Sequence, residues 1–125
     1  GDLLSDMVLQ MFGSIAGSES MVIAVAPDGG VQAVMAEAPH GTAPALEGRN
    51  VANPMAMILA PAGVLSYASN PEAARPRRSI HEATFEAVYE GVRTSDLGGS
   101  AKTDEFTDEV IRRVRSKLEV WASLG

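Results

Sequence analysis

The chain has 125 residues, 46% of them hydrophobic, and 16 acidic against 10 basic side chains give a formal charge of −6. That length allows one domain, or part of one, with a real buried core. The acidic balance argues against nucleic acid and anionic membranes as partners, and the lack of cysteine excludes a disulfide framework and a thiolate zinc site.

Asp2 to Phe12 reads as a helix, with Leu3, Leu4, Met7, Val8 and Met11 at three- and four-residue spacing. Asp2 and Asp6 are four apart and so share one helical face. Two readings of that pair stand. It is an acidic helix start favoured by the macrodipole, or it is part of an oxygen-rich site for a hard divalent cation, Mg²⁺ or Mn²⁺. No basic region precedes these apolar residues, so no signal peptide is expected, and the cysteine-free composition fits a reducing cytoplasm. Gly13 to Ser20 is a Gly/Ser-rich loop without the pattern of a P-loop or a GxGxxG turn.

Met21–Ala26 and Val31–Ala36 read as strands joined by the turn Pro27-Asp28-Gly29-Gly30. Both are apolar on both faces, as in a strand inside a larger sheet. A lone hairpin is marginal in water. Further strands are therefore expected, from residues outside this chain or from a second copy of it.

Glu37 to Pro54 is too rich in Pro, Gly and Asn for regular structure and reads as an ordered loop. Loops held by rigid neighbours often carry binding residues. This one offers Glu37, His40, Thr42, Asn50 and Asn53, with Arg49 its only cation. The set suits a ribose or an amide-bearing ring better than a highly charged phosphate. His40 reads equally well as a ligand contact and as a loop stabiliser.

Asn53 then caps a helix with Pro54 in its first turn, running to about Ser69 and kinked at Pro61. The stretch from Val51 to Asn70 is uncharged and nearly long enough to span a membrane, but Asn53, Pro54, Pro61 and Gly63 break it. A buried core helix is the expectation. Asn70-Pro71 starts another helix, interrupted at Arg75-Pro76 and ending near Val92, with Ile80, Ala83, Thr84, Ala87, Val88 and Gly91 as its apolar stripe. His81 reads as a surface residue. After a loop from Arg93 to Lys102, Thr103 caps the last helix. Its buried stripe is Phe106, Val110, Ile111, Val114, Leu118 and Trp121, with Arg112, Arg113, Arg115 and Lys117 mostly facing water.

Several of these segments resemble one family. His40-Gly41-Thr42-Ala43-Pro44 with Asn53-Pro54 resembles the cofactor loop of the β-decarboxylating dehydrogenases, the isocitrate, isopropylmalate, homoisocitrate and tartrate enzymes. Gly1-Asp2-Leu3-Leu4-Ser5-Asp6 resembles their metal-binding segment. Arg93-Thr94-Ser95-Asp96-Leu97-Gly98-Gly99 and Thr103-Asp104-Glu105-Phe106-Thr107 resemble their C-terminal motifs. The motifs fall in the family's order, and the resemblance covers almost the whole chain but only about the last third of a family member. It implies an α/β fold, the C-terminal part of an isocitrate/isopropylmalate dehydrogenase-like fold: a short hairpin or sheet edge packed with about four helices. Residues 1–125 would form a single partial domain, with 1–12 the metal-site helix and 13–125 part of the cofactor-binding domain.

By that resemblance Asp2 and Asp6 coordinate Mg²⁺ or Mn²⁺, with a third Asp supplied across a dimer. His40 and Asn53 contact the adenine end of a dinucleotide, Gly41, Thr42 and Ala43 shape its pocket, and Glu37 approaches the nicotinamide side. Asp96 lies near the adenosine ribose; on its residues alone, closing the turn before Gly98-Gly99 is the competing role. The family's cofactor-selecting positions hold Ala45-Leu46 here, which match neither the NAD nor the NADP pattern. With no cation beside them a 2′-phosphate lacks compensation, so NAD is expected. The family's Gly-Leu-Gly-Leu-Ala-Pro-Ser-Ala-Asn run is replaced by Gly13 to Ser20.

The expected activity of the whole enzyme is oxidative decarboxylation of a small 2-hydroxy acid. Arg49 is the only Lys or Arg before Arg75, too few cations for a polycarboxylate, and no Tyr–Lys acid–base pair is in place, so no catalytic residue is assigned. Alone, the chain is expected to be inactive and to need the other half of the enzyme or a second copy as partner. The alternative is a stand-alone, non-catalytic nucleotide-binding or self-assembling regulatory module.

Overall fold

The computed structural model describes residues 20–124. Asp2 and Asp6, their expected helix and most of the Gly13–Ser20 loop lie outside the described residues. In chain order the elements are strands β1 (Ser20–Val25) and β2 (Val31–Glu37), then helices α1 (Met55–Leu65), α2 (Ala74–Tyr89) and α3 (Thr103–Leu124). Single 3-10 turns lie at Pro44–Leu46, Pro71–Ala73 and Ser95–Leu97.

The two strands pair antiparallel, Met21 opposite Ala36 and Ile23 opposite Val34, with an irregularity at Ala24/Val25. The turn closes as its residues require. Gly29 takes φ 89°, and the Asp28 carboxylate accepts from the Gly30 N–H at 2.9 Å. Among the described residues no third strand joins this sheet. The strands are therefore not buried inside a sheet here: Val22, Val25, Val31 and Met35 are each half exposed or more. Only β2 leans on the helices, against α1, where Val34 and Ala36 are half-buried.

The core lies elsewhere. Met55 and Leu59 of α1, Ala83, Ala87 and Val88 of α2, and Phe106 and Val110 of α3 form one buried cluster. Alanines and Gly63 on α1 keep its backbone close to its neighbours, and Ala56, Ala60, Ala62 and Gly63 are all buried. Pro61 sits inside α1 without ending it. The carbonyl it deprives of a partner belongs to Met57, and both residues are exposed, so water replaces the lost bond. α1 stops at Leu65 rather than Ser69. The Ser66 hydroxyl donates to the Gly63 carbonyl at 2.6 Å, and Asn70, ahead of Pro71, is extended.

Pro76 does not interrupt α2. It falls in the first turn, where backbone N–H groups have no intrahelical acceptor to lose. α2 ends at Tyr89 because Gly91 turns left-handed (φ 98°). The Gly91 N–H donates to the Val88 carbonyl and the Val92 N–H to the Ala87 carbonyl, a Schellman closure.

α3 buries Phe106 and Val110 fully and leaves Ile111 exposed, so its apolar stripe is narrower than the sequence predicts. Two of its four cations are not solvated. Arg113 bonds Glu109 at 2.8 Å and Glu90 at 2.5 Å, and Lys117 bonds Glu86 at 2.8 Å. The Glu90 and Glu86 pairs stitch α3 to α2 and the residue that follows it. Arg112 and Arg113 together hold the Glu109 carboxyl down to about 2. His81 is half-buried, its ring 6.1 Å from that of Phe85.

Candidate functional site

The Ala38–Pro54 loop is ordered by its own backbone. Ala43 takes a left-handed conformation (φ 43°), and the 3-10 turn Pro44–Leu46 follows at once, Pro44 presetting its φ. The turn reverses the chain and brings Val51–Asn53 back beside His40–Ala43. Together with Ser95 and Asp96 of the third 3-10 turn, these residues line a cleft of about 770 Å³. That size falls within the range of small-molecule sites, and the lining is apolar with a few polar groups.

Six residues singled out in the sequence meet there: His40, Gly41, Thr42, Ala43, Asn53 and Asp96. Glu37 does not line the cleft; it ends β2 and is exposed. Leu46, at one of the cofactor-selecting positions, lines the cleft too, and sequence reasoning missed Val51, Ala52 and Ser95, which complete the lining. Their neighbourhood was the available signal, since each adjoins or lies within three residues of a residue that was named.

The polar groups are fixed in place. His40 Nδ1 lies 2.8 Å from the Gly41 carbonyl oxygen. A carbonyl only accepts, so Nδ1 carries the proton and Nε2 of the neutral ring is left as an acceptor. Asn53 Oδ1 accepts from the Met55 N–H at 2.9 Å, so it satisfies the first amide of α1 from one position ahead of the cap residue, which is Pro54. Its Nδ2 donates to Asp96 Oδ2 at 3.1 Å. The Thr94 hydroxyl, on a buried residue, donates to Asp96 Oδ1 at 2.5 Å. Asp96 thus closes its turn and also joins the two loops that make the cleft. Two of its four acceptor positions stay open.

The floor behind Asp96 is tight. A Cβ on Gly99 would stand 1.9 Å from the Arg93 carbonyl oxygen, so only glycine fits that approach. On the other side Thr103 does not cap α3 with its hydroxyl, as the sequence predicts. That hydroxyl donates to the Ala52 carbonyl at 2.6 Å. Asn50 accepts the helix amides instead: its carbonyl oxygen takes the Thr103 N–H and its side-chain Oδ1 the Asp104 N–H.

No Lys or Arg lines the cleft among the described residues. Without a cation in its lining, the cleft suits a ligand of low charge better than a phosphate-rich one. Nor do the described residues contain a cluster of three or more His, Asp or Glu able to hold a metal ion. None of their helices is long and apolar enough to cross a membrane.

The hairpin packs against α1, and the loop-built cleft lies at the N-terminal ends of α1 and α3 and just past the C-terminal end of α2, an α/β arrangement. The crystal structure of a β-decarboxylating dehydrogenase from Thermococcus kodakarensis, in its apo form, matches 95% of this chain with a TM-score of 0.65 and 30% identity; the match covers 32% of that protein. The family model for isocitrate/isopropylmalate dehydrogenase matches residues 1–110, and the chain belongs to that family. Among similar proteins, the 3-isopropylmalate dehydrogenase B of Aspergillus niger is 36% identical over 120 residues, 94% of this chain and 32% of the relative. The mitochondrial NAD isocitrate dehydrogenase catalytic subunit 5 of Arabidopsis thaliana is 38% identical over 111 residues, 88% of this chain and 28% of the relative. The chain thus spans about a third of the length of the curated relatives it matches.

Proposed function

We propose that this chain supplies the adenosine-binding wall of an NAD-dependent, divalent-metal-dependent oxidative decarboxylase acting on a small 2-hydroxy acid, and that it is inactive by itself. The observation that carries the reading is the convergence of His40, Gly41, Thr42, Ala43, Asn53 and Asp96 on one cleft whose lining holds no Lys or Arg. NAD, when bound, would accept hydride from the hydroxyl-bearing carbon of the substrate. The chain's own residues bind and orient. His40 offers Nε2 to an exocyclic amine, Asp96 offers its open lone pairs to a ribose hydroxyl, and residues 41–43 set the width of the cleft.

The lack of a cation in the lining favours NAD over NADP, because a 2′-phosphate would be desolvated without charge compensation. Asp2 and Asp6 are the proposed metal pair on their spacing and on the family resemblance. The missing Arg cluster is the reason for assigning substrate binding to the rest of the enzyme. The open strand edges are where that remainder, or a second copy, would extend the sheet, and the half-exposed apolar side chains are what it would cover. The location proposed for the assembled enzyme is the cytoplasm.

Calorimetric titration of the chain with NAD, ADP-ribose and NADP tests this. NAD and ADP-ribose should bind within about threefold of each other, since the cleft takes the half they share, and NADP should bind about tenfold more weakly. No binding at millimolar ligand, or NADP as tight as NAD, contradicts the reading. Turnover of isocitrate or isopropylmalate with NAD and Mn²⁺ by the chain alone would overturn the claim of inactivity.

A further inference from the structure

We infer that Asn50 is a positioning residue for the cleft, fastening the wall Val51–Asn53 to the first turn of α3. The inference rests on the nucleotide reading of the cleft, which Asn50 itself does not line.

Four hydrogen bonds join residues 50–52 to residues 103–104. The Thr103 N–H donates to the Asn50 carbonyl at 3.0 Å. The Asp104 N–H donates to Asn50 Oδ1 at 3.1 Å. Asn50 Nδ2 donates to Asp104 Oδ1 at 2.8 Å, across 54 residues of sequence. The Thr103 hydroxyl closes the set on the Ala52 carbonyl. Asn50 reaches both partners only from a left-handed backbone (φ 56°), which Asn tolerates better than most residues.

The next three residues form the cleft wall, and little else holds them. Val51 is half-buried and Ala52 exposed. The wall is then tied at its far end, where Asn53 bonds Met55 and Asp96. It is a short strap with a hydrogen-bonded clasp at each end. If the Asn50 clasp is released, Asn53 keeps its bonding partners but loses a fixed approach to them. A helix cap made by Asn50 is a structural role that would stop at α3; a positioning role must reach Asn53 and Asp96.

Three variants of the full chain separate the two. Asn50→Gly keeps the left-handed backbone and the carbonyl but removes both side-chain bonds. Asn50→Asp keeps an acceptor for the Asp104 N–H but sets two carboxylates together. Asn50→Asp with Asp104→Asn restores a donor–acceptor pair in reversed order. The first two should weaken ADP-ribose binding about tenfold at unchanged far-UV circular dichroism, and the swap should return it to within about threefold of wild type.

In ligand-free protein, amide resonances of Asn53 and Asp96 should move in Asn50→Gly and return in the swap. Unchanged affinity in Asn50→Gly, or shifts confined to Thr103 and Asp104, overturns the inference. If the wild-type chain binds no ADP-ribose, the nucleotide reading fails, and the ligand-free resonances still decide whether Asn50 sets the wall.

Discussion

The helices and the hairpin of this chain are held by different physics. α1, α2 and α3 close around Met55, Leu59, Val88 and Phe106, all within 1% of complete burial. The hairpin leaves Val25 60% and Val31 53% exposed and has one neighbour, α1. Hydrophobic content is not the distinction, since β1 and β2 are as apolar as α1. What differs is whether the apolar faces find each other within the chain. The helical unit carries its own core and presents the cleft. The hairpin, a two-stranded sheet among the described residues, leaves much of its apolar surface open.

Substitutions can break or sharpen that contrast. Phe106→Ala empties the centre of the helical core, and thermal or urea unfolding should show a loss of about 3–5 kcal/mol. A loss below about 1 kcal/mol would mean the helices do not form the stable unit. Gly99→Ala places a methyl group on the Arg93 backbone and should cost about 2 kcal/mol, with amide shifts at Thr94 and Asp96 that report an opened turn.

Glu109→Gln removes the negative charge shared by Arg112 and Arg113 and one of its two acceptor oxygens, and should cost no more than about 1 kcal/mol at neutral pH. Its sign with pH is fixed. The folded carboxyl titrates at about 2, below the ordinary 4.5, so its contribution is full above 4.5 and fades as pH falls toward 2. Wild type and variant should therefore converge in acid, as followed by unfolding at stepped pH. Met35→Lys on the hairpin should change stability least, within about 0.5 kcal/mol, while reducing concentration-dependent association in sedimentation. A large loss of stability there would show the hairpin to be part of the core.

Much of this was legible in the sequence because it depends on local chemistry. The Asp28-Gly29-Gly30 turn and the buried Ala83, Thr84, Ala87 and Val88 of α2 follow from residue type and spacing, whereas Gly91, read as part of the helix stripe, lies beyond the helix end in a left-handed turn, and buried Ser79 was not read. The grouping of His40–Ala43, Asn53 and Asp96 was legible through the family resemblance, not through residue type alone, and the structure brings these residues to one cleft. What was not legible depends on partners distant in sequence. Thr103 looks like a cap but bonds Ala52, and Asn50 caps a helix that starts 53 positions later. Arg113 and Lys117 look solvated until α2 supplies Glu82 and Glu86 and its cap residue Glu90. Pro76 looks like a break until the helix is seen to start two residues before it.

The central claim is that the cleft between the His40–Ala43 loop and Asp96 takes the adenosine end of a dinucleotide. The most direct measurement is a residue-resolved NMR titration of the chain with ADP-ribose. Saturable shifts confined to residues 40–43, 51–53 and 95–96, with the hairpin and the Arg113–Glu90 face of α3 unmoved, is the expected result. An absence of shifts at millimolar ligand, or shifts centred anywhere else on the described surface, would contradict it.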